Sequence, residues 1–158
     1  MVASHAVHAD EIDDANKLYQ QKQLVQALDK VNGAISGKPK DARARFLKGL
    51  ILSEQGNANE AIKTFSALTE DFPEQPEPYN NLAVLYAGQG QYDKAKLSLE
   101  MAIRAHPDYA TAHENLGDIY AKMASQSYGR ALQLDHNNTL IKTKQTLIQD
   151  FLKNTTTR

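Results

Sequence analysis

A period of 34 residues constrains this sequence more than any other feature. Five sets of residues keep this spacing along the chain: Pro39, Pro73 and Pro107; Ala27, Ala61 and Ala95; Gly56 and Gly90; Ala15, Gly49, Ala83 and Gly117; and Leu18, Leu52, Tyr86 and Tyr120. A period of this length indicates stacked copies of one supersecondary unit, because each copy buries its apolar face against its neighbours. The chain is therefore expected to form an elongated array and not a bundle with a single centre.

Each period is predicted to contain two helices joined by a turn. Apolar residues recur at three- and four-residue spacing, as in Ile62, Phe65 and Leu68, which places them on one helical face. Gly56 falls where the first helix of its pair must stop, and Pro73 cannot continue the second helix. The small residue at Gly49 lets the two paired helices approach closely.

This pattern resembles the tetratricopeptide repeat (TPR). The best copy reads Tyr79-x-x-Leu82-Ala83-x-x-Tyr86, followed by Ala95-x-x-x-Leu99 and Pro107. The preceding copy departs from the family pattern at Arg45, usually an aromatic residue, and at Lys48, usually leucine. The resemblance implies an all-α fold, a helix–turn–helix solenoid wound as a right-handed superhelix, with about four repeats.

Together, the repeats and the helix that follows them form one TPR domain over residues 10–153. We place the repeats at about 10–41, 42–75, 76–109 and 110–138, with a capping helix at 139–153 that carries an apolar stripe from Leu140 to Leu152. Residues 154–158 have nothing to bury, so we expect a disordered tail.

The fourth repeat is shortened. Ala124 and Tyr128 match the second-helix positions only after a deletion of five residues, which removes the turn. No Gly or Pro stands between Asp118 and Tyr128, so we predict one continuous helix over residues 112–134. The alternative is a tight turn capped by Ser125 or Ser127.

Residues 1–9 show no periodic apolar pattern and are expected to be a disordered leader. Val7-His8-Ala9 has the small-residue spacing of a signal-peptidase site, and Ser4-His5-Ala6 is a second candidate. Because the chain resembles bacterial exported TPR proteins, the leader is interpreted as the remnant of a signal peptide. This interpretation predicts a periplasmic location, with a cytoplasmic location as the alternative.

Charge and composition argue against several classes of protein. Lys and Arg number 18 against 19 Asp and Glu, so the basic excess typical of nucleic-acid binders is missing. The chain has no Cys, which excludes disulfides, thiolate metal sites and a cysteine nucleophile. No apolar run approaches the roughly 18 residues of a membrane-spanning helix.

No residue pattern predicts catalysis. The histidines form no His-x-x-x-His pair with a nearby carboxylate, so no metal site is expected. The segment 33–38 has one residue too few between its glycines for a phosphate-binding loop, and Pro39 stands where Ser or Thr is required. We therefore expect a protein that is not an enzyme and that needs no cofactor.

The resemblance implies that the first helices of the pairs line a concave groove that binds an extended peptide or a helix of a partner protein. Carried over by position, the groove comprises Arg43, Phe46, Leu47, Leu50, Glu77, Asn80, Asn81, Val84, Thr111, Glu114, Asn115, Asp118 and Lys122. The asparagines can bond a peptide backbone, Phe46 can anchor an apolar side chain, and the acidic residues favour a neutral to basic partner. The alternatives are core packing for Phe46 and Leu47, and a solvated helix surface for the asparagines.

These residues favour a non-catalytic scaffold or adaptor. A second hypothesis is self-association: the fused helix leaves apolar surface around Tyr128, Ala131 and Leu134 that a second copy could cover.

Overall fold

Residues 3–155 are described by a computed structural model, with side chains described from Glu11 to Asn154. These residues form eight helices and no strand: α1 (Ala3–Gln20), α2 (Leu24–Gly37), α3 (Ala42–Glu54), α4 (Ala58–Asp71), α5 (Pro76–Gly88), α6 (Tyr92–Ala105), α7 (Ala110–Leu134) and α8 (Thr139–Thr155). Each helix packs against the helices before and after it in the chain, and α1 also contacts α3, as α5 contacts α7. The predicted all-α solenoid is confirmed.

The turns within the first three repeats share one geometry. Gly56 and Gly90 have φ values of +78° and +72°, in the left-handed region that glycine tolerates best. The next residue's amide donates back into the helix just completed, as when Asn57 N bonds Leu52 O at 2.9 Å, which closes the helix end. In the first repeat the equivalent position is Lys22, with φ of 60°.

Lys22 adopts the left-handed conformation that glycine has in the other turns, and contacts of its side chain stabilise this conformation. Its Nζ donates to Glu54 Oε1 at 2.7 Å and lies 5.8 Å from the centre of the Tyr19 ring. The hydrogen bond to Glu54 raises the pKa of the Lys22 ammonium. The turn therefore links the first repeat to the end of α3.

Three clusters of buried residues lie along the array. The middle cluster contains Phe65, which is fully buried and packs edge-on against Phe46 at 5.6 Å between ring centres. A Cβ atom on Gly49 would lie 2.5 Å from Phe65 Cε1, closer than two carbon atoms can approach. Gly49 is therefore the residue that lets α4 lie against α3.

The fourth repeat has no turn. Helix α7 runs without a break through 25 residues from Ala110 to Leu134, which confirms the predicted fused helix and extends it by two residues at its start. The alternative of a tight turn at Ser125 or Ser127 is wrong. Ser127 Oγ donates to Met123 O four residues earlier, a bond within a continuous helix.

The helical region extends further at both ends than the sequence suggested. Helix α1 begins at Ala3, so the expectation of disorder does not hold for residues 3–9, where alanines recur and no Gly or Pro interrupts the helix. Helix α8 continues through Asn154 to Thr155, two residues into the expected tail. Residues 1–2 and 156–158 lie outside the described residues.

Candidate partner-binding groove

Two clefts open between the first helices of successive repeats. The first cleft, between α3 and α5, has a volume of about 390 Å³ and is lined by Ala42, Arg43, Phe46, Gln75 and Glu77. The second cleft, between α5 and α7, has a volume of about 160 Å³ and is lined by Ala83, Val84, Ala87, Leu99, Asn115, Asp118, Ile119 and Lys122. Seven of the thirteen predicted groove residues line one of these clefts.

The first cleft combines apolar and charged side chains. Phe46 supplies its apolar wall but is half-buried against Phe65. Arg43 forms an ion pair with Asp13 of α1, so its charge is already partly neutralised. Leu47 is only 5% exposed and packs in the core between α1, α2 and α3, which makes its prediction as a groove residue wrong. Leu50 is half-buried beside the Phe65 cluster.

The second cleft has an apolar floor and a charged rim. Ala83, Ala87 and Ile119 form the floor, and the small alanine side chains leave the space that makes the cleft. Val84 is 54% exposed, a high fraction for a valine on a face that adjoins a core cluster. Asp118 and Lys122 stand one helical turn apart on α7 at the rim.

The three predicted asparagines differ in their environments. Asn80 is buried, and its Oδ1 accepts a hydrogen bond of 2.8 Å from Asn115 Nδ2, which joins α5 to α7. Asn81 Nδ2 donates to Glu77 O at 2.9 Å within its own helix. Asn115 alone lines the second cleft, so it is the asparagine best placed to meet a partner.

The remaining predicted residues give this face a negative potential. Glu77, Glu114 and Thr111 are exposed, and Asp118 is half-buried. Burial raises the pKa of the Tyr109 hydroxyl, and the negative charge of Glu77 raises it further. Arg43 is paired with Asp13, and Lys122 lines the second cleft together with Asp118.

Sequence reasoning missed the apolar floor of the second cleft. Ala83 is part of the repeat pattern, whereas Ala87 and Ile119 belong to none of the five repeated sets. Ala83 and Ala87 stand one turn apart on α5, and a pair of small residues at this spacing is the signal that predicts an indentation.

Within residues 11–154, no three His, Asp or Glu side chains come together as a metal site would require. None of the helices in the described part of the chain combines the length and apolar character needed to span a membrane.

Comparison with known proteins gives consistent matches. A family model described as tetratricopeptide repeat matches residues 18–85 and 52–119. A chloroplastic TPR domain-containing protein of Arabidopsis thaliana, PYG7, is 34% identical over 80 residues, covering 48% of this chain and 27% of PYG7. The photosystem I assembly protein Ycf3 of Prochlorococcus marinus is 29% identical over 102 residues, covering 63% of this chain and 56% of Ycf3. This chain thus spans about a quarter to a little over half of these relatives.

Among solved structures, YrrB, described as a TPR protein with an unusual peptide-binding site, superposes with a TM-score of 0.64. It is 29% identical, and the match covers 68% of this chain and 55% of YrrB.

Proposed function

Because the chain belongs to the tetratricopeptide repeat family, we propose that it is a non-catalytic adaptor that binds a segment of another protein in its groove, with the second cleft as the anchor. Repeats of this family and fold are in general interaction modules. YrrB is described as having an unusual peptide-binding site, and Ycf3 is named as a photosystem I assembly protein. An adaptor that holds one component while a complex assembles fits both kinds of relative.

The observation that carries this proposal is the second cleft itself, where the exposed Val84 stands beside an apolar floor. Val84 and the space above Ala83 and Ala87 suit one aliphatic side chain of a partner. Hydrogen-bonding groups surround this apolar spot, and binding sites typically combine such a spot with a few placed polar groups. Asn115 is held in position by Asn80, so its amide meets a partner without losing rotamer freedom.

The partner segment is extended or helical, neutral to basic, and carries an aliphatic anchor. Glu77, Glu114 and Asp118 favour lysine or arginine next to that anchor. The anchor site differs from the sequence-based expectation near Phe46, because Phe46 is engaged with Phe65 and Leu47 is buried.

Val84→Asp is expected to weaken peptide binding about tenfold or more, equivalent to about 1.4 kcal/mol. The substitution places a carboxylate where the partner's aliphatic side chain excludes water, so the carboxylate loses hydration that the apolar anchor cannot replace. A peptide selected from a displayed random library on the unmodified protein serves as the probe, and fluorescence polarisation gives its Kd.

Val25→Asp provides the matched control, since Val25 is also exposed but lies on α2, away from both clefts. Its Kd should equal that of the unmodified protein. Equal affinity of both variants would show that the selected peptide binds elsewhere, and the proposal would fail.

Asp118→Asn tests the charge of the rim separately. For a selected peptide with a lysine or arginine beside the anchor, we expect weaker binding by about threefold to tenfold and a smaller dependence of Kd on salt, since one attractive charge pair is lost. The same measurement on a peptide whose basic residue is replaced by glutamine should show no difference between the two proteins. A loss of equal size for both peptides would contradict an electrostatic role for Asp118.

The periplasmic location, with a cytoplasmic location as the alternative, stays a prediction from the small-residue spacing in residues 4–9. PYG7 is named as chloroplastic, and Ycf3 comes from Prochlorococcus marinus, so these relatives give it no support.

A further inference from the structure

One position that is buried in the first three repeats is exposed in the fourth. Ala15, Gly49 and Ala83 are the small residues of the first helix in each of these repeats, and all are buried. Gly117 is their equivalent in α7, and it is exposed. Within the described residues, no helix therefore packs on the small residue of α7.

The position three residues later is also more exposed in the fourth repeat than in the other three, where Leu52 is buried and Leu18 and Tyr86 are half-buried. Leu52 in the second repeat is 6% exposed, whereas its equivalent Tyr120 is 51% exposed. In the second repeat Phe65 of α4 covers Gly49, but a Cβ atom on Gly117 would have no atom within 4 Å. Gly117 and Tyr120 thus form a vacant slot for the second helix of the fourth repeat.

The chain still encodes that second helix. Ala124, Tyr128 and Ala131 match the positions of Ala95, Leu99 and Ala102 once the missing five residues are taken into account. They lie on the second half of α7, which continues straight on from the first half.

The second half of α7 cannot fill the slot in its own chain. Eleven residues separate Gly117 from Tyr128, about 16 Å along the helix axis at about 1.5 Å per residue. Without a turn, no rearrangement inside α7 brings the two together.

The slot residues and the residues that match a second helix lie on one stripe of α7. Gly117, Tyr120, Ala124, Tyr128 and Ala131 follow at steps of three, four, four and three residues, the spacing of a single helical face. A second copy of α7 laid antiparallel on this stripe would bring its Tyr128 over Gly117, as Phe65 lies over Gly49. The same arrangement repeats at the other end of the pair, so both slots are filled at once.

Helix α8 leaves this stripe accessible. It packs on an adjacent face of α7, where Gln145 Nε2 lies 3.4 Å from Ser125 Oγ and Gly129 faces Gln145. Lys144 Nζ lies 5.8 Å from the centre of the Tyr128 ring, at the border between the two faces. Tyr128 and Ala131 are only half-buried as a result.

We propose that two copies of this chain form a twofold dimer by exchanging the halves of α7, so that the second half of each helix completes the fourth repeat of the other. Deletion of a connecting turn favours such an exchange, because the intramolecular contact becomes impossible while the matching surfaces remain. The interface therefore includes Gly117 and Tyr120 as well as the expected Tyr128 and Ala131. This inference stands apart from the peptide-binding proposal, since Asn115, Asp118 and Lys122 occupy a different face of α7.

The first test is the molar mass in solution, measured by sedimentation and light scattering over a range of concentrations. The unmodified chain should show twice its 17.5 kDa mass. Gly117→Leu should reduce the mass twofold, because the new side chain fills the slot that Tyr128 of the second copy would enter. Gly33→Leu is the matched control: Gly33 is also an exposed glycine inside a helix with no atom within 4 Å of a Cβ, and this variant should remain a dimer.

The second test restores the turn. Inserting a copy of residues 88–92 after Ala121 gives the fourth repeat the same length as the third, so the second half of α7 can fold back on the first. The variant should be a monomer with unchanged helix content by circular dichroism. If this variant fails to fold, the comparison of the molar masses of Gly117→Leu and Gly33→Leu still tests the proposal.

A monomeric unmodified protein at all concentrations would overturn the proposal and leave the slot to a helix of another protein. A dimer that persists in Gly117→Leu would overturn it as well, since the copies would then associate through another surface.

Discussion

Replacing Phe65 with alanine is expected to lower the free energy of unfolding by about 3–5 kcal/mol, the range for removing a large aromatic side chain from a packed core. Phe65 is fully buried, packs on Phe46 and fills the space above Gly49. Its loss leaves a cavity between α3 and α4, and neither helix can collapse into it without disturbing the adjoining repeats. Urea or guanidinium unfolding followed by circular dichroism measures the change.

Phe151→Ala removes the same atoms from α8, where the phenylalanine is exposed. The expected loss is about 1 kcal/mol or less, since little apolar area returns to water. If both variants lost equal free energy, the packing of Phe65 would not be the cause.

Gly49→Ala is expected to destabilise the protein by about 1–3 kcal/mol, as overpacked cores do. This destabilisation is opposite in sign to helix propensity, because alanine is more favourable than glycine in a helix interior by about 0.5–1 kcal/mol. The added Cβ atom would lie 2.5 Å from the Phe65 ring, so α3 and α4 must separate or the ring must leave its rotamer. The same denaturant unfolding measures the effect.

Two further variants separate the steric effect from helix propensity. Gly33→Ala adds a methyl group where no atom lies within 4 Å and should stabilise the protein by about 0.5–1 kcal/mol. Gly49→Ala combined with Phe65→Leu should cost less than the sum of the two single changes, because the smaller side chain removes the clash. A strictly additive pair would rule out direct contact as the reason.

The repeat pattern predicted the fold well because each repeated residue has one physical task. Gly56 and Gly90 follow the ends of α3 and α5, and Gly49 permits close packing inside α3, so the spacing of these glycines located two turns and one helix contact. The fused α7 followed from the absence of Gly or Pro between Asp118 and Tyr128 in the shortened fourth repeat. The first turn was less visible, because Lys22 stands where the other repeats have glycine and a side-chain contact with Glu54 supports it.

The groove was harder to predict, because it depends on which helical faces meet. Phe46 and Leu47 were both assigned to it, yet adjacent helix residues point about 100° apart, and Leu47 turns into the core. For the same reason, Asn80 is buried and Asn81 is only half-buried. The floor of the second cleft is defined by small side chains on α5 facing α7, a relation between two helices that a single sequence does not display.

The division of the core into three successive clusters has a consequence for how such a protein can change over generations. Most of each cluster's packing lies between neighbouring helices, so substitutions at Val84 or Asp118 leave the packing of Ile12 and Val31 untouched. Mutations in different clusters should then act nearly independently, and selection can alter what one cleft recognises while the rest of the array retains its stability. A lineage can in this way acquire a new partner by a few substitutions in one repeat.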